Sequence, residues 1–210
     1  MSLPTMIKSL IFFAFILSTS INAEEVDYLK ERLSLAESES YEPYALYTTQ
    51  IVLLEEHFKR GQESSASIQD INEPLQQLAE LYPLSIQANF AVAGFLEFVI
   101  DSSEDKAAAQ QLVGVAKKKR KKAQSILDSI LLSGDGTAFS TAYKVINLAE
   151  EDAVLNHLKL TKVSFSVHEE DGKYFDILSV SDPQGKAKNI YFDISLFYEK
   201  SPLNKPIKRD

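Results

Sequence analysis

Ser133-Gly134-Asp135-Gly136-Thr137 divides this chain into two kinds of sequence. Before it, apolar residues recur at spacings of three and four, the period of amphipathic helices. After it they alternate, the period of half-buried strands. Two glycines around an aspartate suit a helix C-terminal cap followed by a turn, because glycine tolerates positive φ. The same tripeptide could also serve as a phosphate- or metal-binding loop. It does not match the twelve-residue calcium loop, since the spaced carboxylates and the terminal bidentate Glu are missing.

Working outward to the N-terminal side, the last helix of the first half is read over about 104–131, with a seam of Leu112, Ala116, Lys119 or Arg120, Ala123, Leu127 and Ile130. Upstream of it, Leu84 to Ile100 is apolar on most sides, which predicts a central helix. Ile68, Ile71, Leu75, Leu78 and Leu81 define another helix that Pro83 stops, with Pro74 marking the start of its regular part. Pro43 opens a helix carrying Leu46, Ile51, Leu54 and Phe58, which Gly61 ends. Val26, Leu29, Leu33 and Leu35-Ala36 give a first short helix, broken at 38–40. Short turns, Tyr82-Pro83 at a helix end and small residues at packing positions resemble tetratricopeptide hairpins, without a clean repeat at about 34 residues.

On the C-terminal side, Ala142 to Ile146 reads as a strand and Leu148 to Leu158 as a short helix with acidic residues at its start and His157 at its end. Leu160 to His168, Tyr174 to Val180 and Asn189 to Leu196 read as strands. The first two are joined by a hairpin loop at 169–173 with an Asp-Gly signal, and 182–185 forms the next turn. The fold class expected is α+β: antiparallel helical hairpins over 24–132, then a small antiparallel sheet with one helix over 133–200, and a loose tail at 201–210.

Composition excludes several chemistries. The 210 residues contain no Cys, so disulfides, thiolate metal sites, a cysteine nucleophile and a lipidated N-terminal cysteine are ruled out. No metal or cofactor is expected, because three His give little to build a site from. No nucleophile elbow, P-loop, dinucleotide fingerprint or zinc motif occurs. Lys8, the apolar run Leu10–Leu17 and the polar stretch ending at Ala23 have the layout of a secretory signal peptide, cleaved after Ala23. That run is too short for a spanning helix, and no other stretch is long enough. A secreted or periplasmic location is therefore expected. Export also disposes of the nuclear-localisation reading of Lys117-Lys118-Lys119-Arg120-Lys121-Lys122 and of a nucleic-acid partner.

Charge is unevenly spread. Residues 24–105 carry a net of −13 and residues 106–210 a net of +4. The basic run covers more than one helical turn, so at least one member must lie on the seam with its stem buried. The rest form a solvated face, or a dock for an anionic partner, whether acidic protein, lipid headgroup or polyanion; Lys117, Lys118, Lys121 and Lys122 are the candidates. The alternative is a hydrolase-like enzyme in which Asp135, His168, Asp176 and Asp193 converge, since paired carboxylates beside an imidazole suit acid–base work.

Leu127-Asp128-Ser129-Ile130, the glycine-flanked aspartate, Thr141 to Ile146, Glu150-Glu151, Tyr174-Phe175-Asp176 and Ile190 to Ile194 together resemble the bacterial domain-of-unknown-function family 4919. Tyr41 to Tyr44 and Tyr82-Pro83-Leu84 resemble its helical N-terminal part. The resemblance implies a secreted or periplasmic bacterial protein and supplies no catalytic residues. The unmixed Lys/Arg run and the length of the 169–173 loop depart from the pattern.

Overall fold

The computed structural model describes residues 26–43, 68–103 and 105–200. The signal-peptide reading, the helix expected after Pro43 and the tail at 201–210 lie outside them. Six helices and a four-stranded sheet are present among the described residues: α1 (Tyr28–Glu37), α2 (Ile68–Leu81), α3 (Ile86–Ser102), α4 (Lys106–Leu131), β1 (Tyr143–Lys144), α5 (Leu148–His157), β2 (Thr161–Glu170), β3 (Lys173–Ser181), β4 (Ala187–Asp193) and α6 (Ser195–Tyr198). The chain forms two compact units. One holds α2, α3 and α4 up to Ser125; the other holds α1, the end of α4 and everything after it. The first helix thus falls with the sheet, not with the helices that follow it in sequence.

In the helical unit, Leu75, Leu78 and Ala79 of α2, Ala88, Val92, Phe95, Leu96 and Val99 of α3, and Leu112 and Ala116 of α4 make one buried cluster. The turn between α2 and α3 is set by its own hydrogen bonds. Ser85 caps α3 by accepting from Ala88 N at 3.1 Å, and Asn89 Nδ2 donates back to the carbonyls of Pro83 and Ser85 at 3.1 and 2.7 Å. The seam expected on α4 is the buried one, with Lys119 as its half-buried basic member. Pro74 lies inside α2 and does not begin it.

The sheet runs in the order β1-β4-β3-β2. The antiparallel expectation holds for β2–β3 and β3–β4, but β1 lies parallel to β4, so the sheet is mixed. β1 is also shorter than the strand expected over 142–146. Ile146 N donates to the Glu150 carboxylate at 2.9 Å, so the chain leaves the ladder and turns into α5. The 169–173 loop tightens to a two-residue turn, Asp171 and Gly172 both at positive φ, a conformation that matches strand twist. β4 stops at Asp193, whose carboxylate accepts from Ser195 N at 3.1 Å and starts α6. One face of the sheet buries Leu178, Val180, Ile190 and Phe192. The core of this unit also takes Val145, Ile146, Val154, Leu155 and, from α4, Ile126 and Ile130.

Candidate functional site

The deepest polar feature of the sheet unit is an ion pair. Arg32 of α1 is fully buried, and its guanidinium grips Glu150 of α5 through two bonds, Nε to Oε1 at 2.8 Å and Nη2 to Oε2 at 2.6 Å. The remaining donors reach Ser129 Oγ at 3.2 Å and the Lys144 carbonyl at 2.9 Å. Glu150 Oε2 also accepts Ile146 N. Beside it, Tyr41 donates to the Ile146 carbonyl at 2.9 Å and accepts from Asn147 Nδ2 at 3.1 Å, while Asn147 caps α5 through Glu150 N. Three stretches of the chain, 32–41, Ser129 and 144–150, are tied at one point. Every strong partner of this pair is internal, so it is built to hold the unit together.

Next in sequence, Glu151 is also buried and faces Asp176 of β3. Burial pushes both carboxyls above their ordinary range, Glu151 well above it. The charge of Asp176 and a hydrogen bond between the two raise Glu151 further, that bond lowers Asp176, and Lys162 lowers both. Glu151 Oε1 and Asp176 Oδ1 have no hydrogen-bond partner among the described residues.

The four candidate catalytic residues do not meet at one place. Asp135 is exposed, and its Oδ1 closes its own loop by accepting from Thr137 N at 2.9 Å, Thr137 Oγ1 at 2.7 Å and Thr141 Oγ1 at 2.5 Å. Those hydroxyl bonds hold its carboxyl below the usual range. His168 and Asp193 are both in register with Phe175 and so share one face of the sheet. Asp176, next along β3 and in register with Val167 and Phe192, points to the opposite face. His168 is exposed, stacked on Phe139 at 5.1 Å and 3.4 Å from Glu170. Asp193 is engaged by Ser195 Oγ at 2.7 Å. No three His, Asp or Glu side chains are placed to hold a metal ion among the described residues.

The basic run has a definite geometry. At about 100° per residue, Lys117, Lys118, Lys121 and Lys122 fall within an arc of about 140°, opposite the buried seam. Lys117, Lys118 and Lys121 are exposed. Arg120 flanks the seam on one side, forked onto Glu97 and 5.7 Å over the Phe90 ring. Lys119 flanks it on the other, and burial followed by the charges of Lys122 and Lys118 pushes its ammonium below the ordinary range. α4 contains no acidic residue before Asp128, so no carboxylate of that helix lies within one turn of Lys117, Lys118 or Lys121. Like charges four apart on a helix each cost about 0.2–0.5 kcal/mol.

The model of a domain of unknown function, DUF4919, matches residues 22–201. The chain belongs to the DUF4919 family. No curated protein and no solved structure matches it. The matched span of this DUF4919 chain contains both buried pairs and the lysine ridge. Sequence reading missed Arg32, Glu150 and Glu151 as interior residues. Arg32 and Ala36 are the buried positions of α1, whereas Leu35 is exposed, so the apolar stripe was misplaced around a charged residue. The sequence places Glu150 and Glu151 only at the start of a helix, where they suit its dipole. Their signal is two adjacent acids in a first turn flanked by Leu148, Ala149, Val154 and Leu155, a helix with little polar face to offer them.

Proposed function

We propose that this chain is an exported, non-enzymatic interaction module of the bacterial periplasm or cell exterior, which presents a cationic helix ridge to an anionic partner of the envelope. The observation that carries the reading is the exposed set Lys117, Lys118 and Lys121, which has no carboxylate of its own helix within one turn although self-repulsion costs stability. The signal-peptide layout of residues 1–23 supports export. The pairing of α2 and α3 across a short turn over one apolar cluster supports a tetratricopeptide-like plan for the helical unit. No described helix is long and apolar enough to cross a membrane. The hydrolase-like alternative is disfavoured by Asp176, which faces away from His168 and Asp193.

Replacing Lys117, Lys118, Lys121 and Lys122 together by Gln abolishes retention on immobilised heparin and leaves the melting temperature nearly unchanged. Retention that survives the replacement overturns the ridge as a dock. Peptide mapping of the exported form finds Glu24 at its N-terminus; Met1 to Asn22 still attached overturns the export reading.

A further inference from the structure

β2 is the outer strand of the sheet, and all ten of its residues are exposed. Val163, Phe165 and Val167 stand 69%, 64% and 42% exposed in a row. Phe165 and Val167 are in register with Leu178 and Asp176, so they continue the sheet's buried face past its edge. The register against β3 shifts between Lys162 and Ser164, which sets Val163 at a bulge; from Ser164 to Glu170 the strand is regular, and an outer strand with apolar residues and no proline is the kind that pairs with another strand. Its charge is polarised: Lys159 and Lys162 lie at its start, and Glu169, Glu170 and Asp171 at its end. A parallel copy would set like charges side by side. An antiparallel copy sets the basic start of each strand against the acidic end of the other.

We propose that β2 is a homodimerisation edge, pairing antiparallel with β2 of a second copy about a two-fold axis at Ser166. In that register Phe165 of each copy lies opposite Val167 of the other, on the face that carries the core. Ser166 meets its own equivalent, and Lys162 comes beside the acidic end of the second strand. The two four-stranded sheets become one continuous sheet. This self-pairing is independent of the lysine ridge and does not rest on its function.

The test exploits the absence of cysteine from the chain. Directly opposed residues of antiparallel strands have Cα atoms roughly 4.5–5.5 Å apart, within disulfide reach. Ser166→Cys should therefore form a disulfide-linked dimer under mild oxidation, about tenfold or more faster than Ser164→Cys, whose opposite residue is His168. Phe165→Thr with Val167→Thr, and separately Glu169→Lys with Glu170→Lys, should slow the Ser166→Cys linkage by at least about tenfold. All four side chains are exposed, so unchanged circular dichroism is expected and checks the fold. The four-Gln ridge variant must still cross-link. Equal rates for the two cysteines, a chain that sediments as a monomer at every concentration, or capture of a foreign strand by a monomeric chain would each overturn the proposal.

Discussion

Arg32 illustrates how one residue fixes a unit. Removing its side chain leaves the Glu150 carboxyl in the interior without its fork, a change that costs about 3–5 kcal/mol. Arg32→Ala is therefore expected to lower the unfolding free energy by that much in equilibrium denaturation. Arg32→Met with Glu150→Leu should recover part of the loss, because no charge remains buried. It should stay about 1–3 kcal/mol below the parent, since Ile146 N–H loses its acceptor. Glu151 gives a pH prediction. Its native pKa is raised by burial and by Asp176, so between the unfolded value and the native one the folded state holds the extra proton. Stability is then fully present below the unfolded carboxyl range and falls as pH rises toward the raised native pKa, by up to about 1.4 kcal/mol per pH unit. Lys162 opposes that fall and Asp152 adds to it. Glu151→Gln, which can still donate to Asp176, should flatten the slope of stability against pH in melts across the weakly acidic range.

At the scale of elements, the glycine-flanked aspartate works through the backbone. Gly136 has φ +67°, and a Cβ there would lie 2.5 Å from Tyr143 Cε2; at Gly134 a Cβ would lie 2.2 Å from the Thr141 carbonyl oxygen. Gly185 has φ +81° but open space around it. Gly185→Ala should cost about 1–2 kcal/mol, the strain of a left-handed residue, and Gly134→Ala and Gly136→Ala more, with Gly134 the worst because backbone atoms cannot step aside. Thermal melts of the three variants check the order. Helices α2 to α4 and the β2–β3 hairpin were legible because a period of three to four, or of two, is a local property of the chain. The parallel seating of β1 on β4 was not, because it pairs Tyr143 and Lys144 with Phe192 and Asp193, and Val145 N with the Asp193 carbonyl, across some fifty residues of chain.

At the scale of the whole molecule, the ridge sits on a chain whose net charge is −8. An anionic partner is attracted only close to the lysines, within about a Debye length of 8–10 Å at physiological salt. Retention on heparin should therefore vanish by about 1 M salt, where screening acts within about 3 Å; elution that ignores salt would point to apolar contact instead. What the sequence by itself determined is where helices give way to strands, that one member of the basic run must turn inward, and that cysteine chemistry is absent, since each follows from residue type and local period. Only the tertiary structure decided that α1 belongs with the sheet, that Arg32, Glu150, Glu151 and Asp176 are interior, and that Asp176 turns its back on His168 and Asp193. The reason is that burial of a charge depends on a partner brought from up to 118 residues away, and no local pattern records that partner.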